Sequence, residues 1–244
     1  LVRLSYEDPI TTFSTNILGS ANLLNSVAKI DCIKALVFIT SDKCYENLGW
    51  SYGYRENDVL GGIDPYSASK AAAEIIFSSY LRSYYQQREG FGAASARAGN
   101  VIGGGDWSSD RIIPDLFKKW SKSKILKIRN PNSTRPWQFV LEPIGAYLFL
   151  GSLLLKNNKK VNQQGFNIGP KKNLDKRVSQ LIKLAKMNLK GLKYSVSKDK
   201  TKKEAKLLKL NCNKISKLTG WKPIYNFDET VKNTISWYKN FYSK

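Results

Sequence analysis

The sequence predicts an α/β protein organised on an open parallel sheet, and three stretches carry that expectation. The run Ala35-Leu36-Val37-Phe38-Ile39 is short, bulky and partly β-branched, and it ends abruptly in polar residues, as a buried parallel strand does. Pro65 then opens a helical pattern that runs to about Arg88. Phe91 to Ala98 follows as a second strand, rich in small residues. Helices and strands alternating in this way build βαβ units, and open sheets of that kind bind ligands at the carboxyl ends of their strands.

Taken in order, Pro9 begins an amphipathic helix with Ile10, Phe13, Ile17, Leu24 and Val27 on or near one face; Asn16 and Gly19 lie within it. The strand at 35–40 delivers Thr40-Ser41-Asp42-Lys43-Cys44-Tyr45, and a glycine-bearing loop leads to Asp64-Pro65-Tyr66-Ser67-Ala68-Ser69-Lys70. In the helix from Tyr66, Ile75, Ile76, Tyr80 and Tyr84 form the expected core stripe. Tyr66 and Lys70 are four apart and share one helix face, with Cβ atoms about 5–6 Å apart. A tyrosine of ordinary pKa, about 10, is a poor base at neutral pH, but an ammonium beside it favours the phenolate. The pair suits proton and hydride transfer, although an exposed tyrosine beside a solvated lysine has the same spacing.

After the second strand, Gly99-Asn100-Val101-Ile102-Gly103-Gly104-Gly105 departs from the Gly-x-Gly-x-x-Gly dinucleotide fingerprint and comes late in the chain. Asp110 is placed to cap a helix through about Ser123, with Arg111 in its first turn. A strand is expected at 125–129 and a further extended stretch at 137–141. Pro143 lies at the start of a helix reaching Leu155, and residues 165–169 form a short strand and turn. A helix is expected near 173–189, and a closing helix ends in Trp237-Tyr238. Because a guanidinium binds phosphate oxygens bidentately, Arg111 and Arg135 are candidate phosphate clamps.

At 244 residues the chain has room for one large domain, or a domain with a smaller lobe. Its 42% hydrophobic and 24% charged content is that of a soluble globular protein. No apolar run reaches the length of a membrane span, and the first residues show no basic-then-apolar pattern. Cys32, Cys44 and Cys212 are isolated, without metal-type spacing, which suits a reducing cytoplasm and gives no expectation of a metal site. With no histidine, a Ser-His-Asp triad and a His-ligated metal are both excluded. The formal net charge of +21 admits nucleic-acid binding, but no nucleic-acid motif accompanies it. The densest run, Lys198 to Lys209, interleaves with leucines. The expectation is therefore a lysine-biased solvated surface that attracts an anionic substrate, with neither nucleic acid nor membrane as partner.

Ser-Asp-Lys-Cys-Tyr-Glu-Asn at 41–47, Gly-Tyr-Arg-Glu-Asn-Asp at 53–58 and Ser-Ala-Arg-Ala-Gly-Asn-Val-Ile-Gly-Gly-Gly-Asp-Trp at 95–107 form a set, with Arg-Asn-Pro at 129–131 and Arg-Pro-Trp-Gln at 135–138. On these residues the chain resembles the extended short-chain dehydrogenase/reductase family, and within it the nucleotide-sugar 4,6-dehydratases, over nearly its whole length. The resemblance implies a doubly wound Rossmann-type parallel sheet with a smaller C-terminal substrate lobe. Residues 1–124 would be the C-terminal part of an NAD-binding domain with the catalytic residues; 125–244 would be mainly the nucleotide-sugar lobe, interleaved with the last elements of that domain. Such a fold begins with a strand, a glycine-rich turn and a helix. Leu1-Val2-Arg3 instead opens at what resembles the end of the fourth strand. Roughly three β-α units, at about 30 residues or more per motif, are expected to be absent, as in an N-terminally truncated enzyme or a fragment.

The resemblance also implies roles. NAD would meet Thr40, Tyr66, Lys70 and Ala98; Asn100, donating to the pyrophosphate, would bind the nucleotide sugar with Arg111 and Arg135. Asn16 would support the active-site strand. Tyr66 as phenolate would take the proton of the sugar 4-hydroxyl, Lys70 would hold Tyr66 acidic and bind the nicotinamide ribose, and Ser41 would hydrogen-bond O4. Asp42 would protonate the departing 6-hydroxyl while Lys43 removes the C5 proton. Many relatives acting on other nucleotides carry an acidic residue after the aspartate; Lys43 looks like the branch that takes CDP-glucose, for deoxysugar and lipopolysaccharide O-antigen biosynthesis. A dehydratase or epimerase of UDP-, GDP- or dTDP-sugars stays open, as does an inactive remnant that keeps only substrate binding. The full-length protein is expected to be a cytoplasmic homo-oligomer.

Overall fold

The computed structural model describes residues 1–170, 175–196 and 208–243. In chain order its elements are α1 (Val2–Glu7), α2 (Pro9–Phe13), α3 (Gly19–Lys29), β1 (Ala35–Ile39), α4 (Pro65–Tyr80), β2 (Gly92–Ala98), β3 (Val101–Ile102), α5 (Ile112–Trp120) and β4 (Leu126–Ile128). There follow β5 (Thr134–Pro136), β6 (Gln138–Phe139), α6 (Leu141–Leu155), β7 (Gly165–Ile168), β8 (Asp175–Arg177), α7 (Val178–Asn188), β9 (Tyr194–Val196), α8 (Asn213–Thr219) and α9 (Phe227–Tyr242). The chain forms two compact units. One comprises Leu1–Gly99, Ile144–Ile168 and Leu210–Lys222; the other comprises Asn100–Pro143, Gly169–Lys209 and Pro223–Lys244.

The first unit is built on a parallel sheet in the order β1-β2-β7, with Val37 opposite Ala94 and Ala96 opposite Phe166. The central β2 is buried along its whole length, which its alanines and serine permit. The 35–39 strand is only partly buried. Among the described residues β1 pairs with β2 alone, and Ile39 is 50% exposed. Phe38 alone turns fully inward and stacks on Phe77 with ring centroids 5.0 Å apart.

Helix starts follow local chemistry. Asp8 caps α2 through the Thr11 amide, and Asp64 caps α4 through the Ser67 amide and hydroxyl; Pro9 and Pro65 occupy the first helical positions. Between α2 and α3 the chain makes one π-helical turn, Ser14–Leu18, and beyond α4 another, Leu81–Tyr85. The expected core stripe is shifted. Ala73, Phe77, Leu81 and Tyr85 are buried, Ile76 and Tyr80 pack partly against them, and Ile75 and Tyr84 are exposed. Ile10 likewise faces solvent, leaving Leu24 and Val27 as the buried positions of the preceding helix.

Among its described residues the second unit has three two-stranded pairs: β3–β6 and β4–β9 parallel, β5–β8 antiparallel. Its core gathers Leu116, Phe117, Leu181, Val231 and Tyr238 from α5, α7 and α9, with the Phe117 and Tyr238 rings stacked at 4.1 Å. Asn226 and Glu229 form a reciprocal capping box at the start of α9. Gly104 is required where it stands, because a Cβ there would enter the Trp237 ring. The expected Asp110 cap fails. Asp110 adopts a left-handed φ of 62°, its carboxylate pairs with Arg129 at 3.0 Å, and α5 starts only at Ile112, with Arg111 in the flanking position. The helix expected near 173–189 begins at Val178, preceded by β8; residues 173 and 174, and most of the Lys198–Lys209 run, lie outside the described residues. Among the described residues no helix is long and apolar enough to cross a membrane.

Candidate active site

β1 ends in a tethered turn. The Thr40 amide donates to the Ala96 carbonyl at 2.9 Å, which keeps the chain in register with β2 to the last residue. Ser41 is extended, and its hydroxyl accepts from the Lys43 amide at 3.3 Å and donates to Asp42 Oδ1 at 3.1 Å, closing a single tight turn over Asp42–Cys44. Asp42 and Cys44 are buried, while Ser41 and Lys43 are half-buried. This turn packs against α4. The turn that carries Ser-Asp-Lys and the helix that carries Tyr-x-x-x-Lys are therefore neighbours.

On α4 the Lys70 ammonium lies 5.9 Å from the centroid of the Tyr66 ring. The Tyr66 amide donates to Ser5 Oγ at 3.2 Å, and its carbonyl accepts from Ser69 Oγ at 2.7 Å. Ser69 in turn accepts from Asn16 Nδ2 at 2.9 Å. Asn16 thus braces the helix beside Lys70 rather than the strand it was expected to support, and the π turn is what carries it there. Lys70 lines a groove with Thr15, Gly19, Ser20, Val37 and Ile39. Burial pushes its pKa below the ordinary lysine value, and among the described residues it has no acidic partner. An ammonium in that setting is a donor suited to the hydroxyls of a nicotinamide ribose, so these residues fit NAD.

Sequence reasoning missed a buried polar network behind the turn. Glu74, four residues beyond Lys70, accepts from Thr40 Oγ1, from Ser95 Oγ at 2.9 Å and from Arg97 Nη2 at 2.8 Å. Arg97 Nη1 donates to the Tyr45 hydroxyl at 2.8 Å and to the Glu56 carbonyl at 2.9 Å, and Tyr45 donates to Asn167 Oδ1 at 2.7 Å. The Asn167 amide reaches Glu56 Oε1 at 2.9 Å. Burial raises the Cys44, Tyr45 and Glu56 pKa values, so the thiol and phenol stay protonated. Burial opposes the Arg97 charge, but Glu74 outweighs it and keeps the guanidinium protonated. Thr40, expected at the cofactor, spends its hydroxyl on this network; Ala98 closes β2, buried.

In the second unit, the Asn100 carbonyl accepts from the Gln138 amide at 3.0 Å, tying the glycine-rich loop to β6. Arg111 is more than half exposed and pairs with Asp106 at 3.1 Å. Burial would raise the Asp106 carboxyl, but hydrogen bonds from Ser108 and Arg111 prevail and hold it below the ordinary value. Arg135 is buried and donates to the Thr134 carbonyl at 2.9 Å.

Residues 1–234 match the GDP-mannose 4,6-dehydratase family. The chain is 43% identical to CDP-glucose 4,6-dehydratase of Salmonella typhimurium, over 98% of its own length and 68% of that protein's. Among solved structures it resembles dTDP-glucose 4,6-dehydratase of Bacillus anthracis in complex with NAD, with a TM-score of 0.77 and 23% identity over 93% of this chain and 68% of that one. The Streptomyces venezuelae dTDP-glucose 4,6-dehydratase, also solved with NAD, gives a TM-score of 0.81 at 20% identity over 98% of this chain and 70% of that one.

Proposed function

The chain belongs to the GDP-mannose 4,6-dehydratase family, and from that premise we propose that it serves an NAD-dependent CDP-glucose 4,6-dehydratase, a hydro-lyase yielding CDP-4-dehydro-6-deoxyglucose and water. The observation that carries the proposal is the Ser41-Asp42-Lys43 turn packed against the helix that bears Tyr66 and Lys70. NAD, when bound, supplies the acceptor and later the donor of hydride; Thr40, Tyr66, Lys70 and Ala98 would hold it.

The chain's own residues then divide the proton work. Tyr66, as phenolate, takes the 4-hydroxyl proton, and Ser41 holds O4 as it becomes a ketone. Lys70 stabilises the phenolate and binds the ribose. The new ketone acidifies C5–H, so Lys43 takes that proton while Asp42 gives one to the departing 6-hydroxyl. Oxygen leaves C6 as water, the Lys43 ammonium later returns its proton to C5, and proton exchange with solvent restores the Tyr66 phenolate and the Asp42 acid for the next turnover. Asp42 is buried in the turn, where its Oδ1 accepts from Ser41. Asn100, Arg111 and Arg135 would bind the nucleotide diphosphate, the arginines by charge-assisted hydrogen bonds. We assign cofactor binding and catalysis to residues 1–124, with Asn100 and Arg111 reaching the nucleotide sugar, and the rest of the nucleotide-sugar lobe mainly to 125–244. A cytoplasmic homo-oligomer fits this reading; Cys32, Cys44 and Cys212 are joined by no disulfide.

The test incubates NAD-loaded enzyme with CDP-, UDP-, GDP- and dTDP-glucose and follows the 4-keto-6-deoxy product by mass. A product 18 mass units lighter than substrate (one water, so ~18) from CDP-glucose alone is expected. Preference for another nucleotide would overturn the substrate assignment, and a 4-epimer without water loss would overturn the dehydratase assignment.

A further inference from the structure

We propose that the buried Glu74–Arg97 ion pair is a two-ended clamp that positions the Ser41-Asp42-Lys43 turn, Glu74 gripping Thr40 at its start and Arg97 gripping Tyr45 at its end. The acid/base purpose of the clamp rests on the dehydratase reading above; the clamp itself rests on geometry.

The two pinned residues bracket the turn, Thr40 before Ser41 and Tyr45 after Cys44. Both pins are side-chain hydrogen bonds to charged partners, the stronger kind. Glu74 uses one carboxylate oxygen on Thr40 and the other on Ser95 and Arg97. Arg97 uses one nitrogen on Glu74 and the other on Tyr45 and the Glu56 carbonyl. Tyr45 is fixed from behind by Asn167 on β7, so its end of the turn is referenced to the sheet's far strand. The pair's side chains are only 8% and 2% exposed. A pair so desolvated adds little stability over apolar residues of equal volume, since Coulomb attraction is offset by lost hydration. What the pair supplies is direction.

Glu74 also repeats the spacing of the chemistry. Tyr66, Lys70 and Glu74 follow one another at four-residue intervals on α4. One rigid helix therefore presents the Tyr66–Lys70 pair and, through Glu74, grips the strand end that carries Asp42 and Lys43. The separation between the oxidising pair and the eliminating pair is then set by α4 itself. Catalytic groups misplaced by about 1 Å lose on the order of a hundredfold in rate, so such a reference matters. Glu74 and Arg97 are positioning residues, since they act through Thr40 and Tyr45.

Cys44 lies between the pins and is fully buried, whereas Cys32 is exposed, so in a Cys32→Ser/Cys212→Ser background thiol labelling of Cys44 reports opening of the turn without reference to activity. The variants are Glu74→Gln, which keeps shape and removes the charge, and Tyr45→Phe, which removes one hydroxyl. Phe77→Leu, buried in the same unit but outside the network, is the control for general destabilisation. Both clamp variants should raise native-state labelling of Cys44 about tenfold or more beyond what their change in global stability accounts for, the factor equivalent to one hydrogen bond to a charged group. They should also lower water loss relative to C4 oxidation, while Phe77→Leu leaves that ratio alone. Labelling that simply follows global stability in every variant would overturn the clamp. Local opening of the turn in a protein that shows no dehydration would uphold the clamp and sink the dehydratase reading. Should Glu74→Gln not fold, Tyr45→Phe decides the question alone.

Discussion

Alkali should unfold this protein through its buried tyrosines. Tyr85 is 3% exposed and donates to the Leu24 carbonyl at 2.6 Å; Tyr238 is 0% exposed and donates to the Asp106 carbonyl at 2.6 Å. Burial pushes both phenols up to about 12. In the unfolded chain they titrate near 10. Because the folded pKa is the higher one, each group's contribution is intact below about pH 10 and is lost as pH rises towards 12, where only the unfolded chain has released the proton. Each tyrosine steepens the loss by about 1.4 kcal/mol per pH unit, hence up to roughly 3 kcal/mol over the window. Tyr147, also pushed up to about 12, and the higher-shifted Tyr45 and Cys44 act in the same direction. The sum is comparable with the about 5–15 kcal/mol that holds a domain folded. Denaturant titrations from about pH 8 to 12 should show the decline, with tyrosinate absorbance appearing in step with unfolding. Tyr238→Phe should lose about 1 kcal/mol at neutral pH with its hydrogen bond, yet fall less steeply in alkali by one proton's worth. An unchanged alkaline slope in that variant, or ionisation of Tyr238 near its ordinary pKa in the native protein, would refute the reasoning.

Three further outcomes follow from the site. Lys43→Ala should cut water loss by roughly 10²–10⁴-fold while oxidation at C4 persists within a few-fold, because Lys43 acts only on the ketone; release of water at the parental rate would show that the base lies elsewhere. Tyr66→Phe should lose oxidation itself by a similar factor, checked by rapid-mixing absorbance of reduced nicotinamide, and an unaltered transient would remove Tyr66 from that role. Lys70→Met should abolish oxidation yet raise the melting temperature at neutral pH. Burial depresses the folded Lys70 pKa, so its charge is a penalty below that pKa that disappears above the unfolded value near 10.5; calorimetry at both ends of that range decides it, and a lower neutral melting temperature would count against the desolvation argument.

The parts of the fold set by neighbours in sequence were legible there. Asp64-Pro65 announces the start of α4 because cap and first-turn proline act within four residues, and the 35–39 run announces β1 by its side chains alone. What failed depended on distant partners. Asp110 precedes an apolar run as a cap would, but Arg129, nineteen residues on, draws its carboxylate away and its backbone turns left-handed. The stripe on α4 slipped by one residue because Ile76 and Phe77 are adjacent apolar positions, and which of them turns fully inward is set by the Phe38 ring on β1.

The site divides along the same line, and its hidden half had a usable signal. Ser41, Asp42, Lys43, Tyr66 and Lys70 stand in short motifs, so the sequence alone is enough to propose them; Glu74, Arg97, Tyr45 and Asn167 come from four separate elements and were not read as a network. Yet β2 reads Gly-Ala-Ala-Ser-Ala-Arg-Ala, and a strand of such small residues is buried on both faces. Its one charge, Arg97, is tolerable there only beside a carboxylate. The helix that follows β1 and returns the chain to β2 must lie over the sheet, and it contains one acid, Glu74. A buried arginine without choice of partner and a helix with a single carboxylate define the pair before any coordinates are drawn. Since that carboxylate sits four residues beyond Lys70, the same reading places the pair directly behind the chemistry, at the one position from which it can hold the turn.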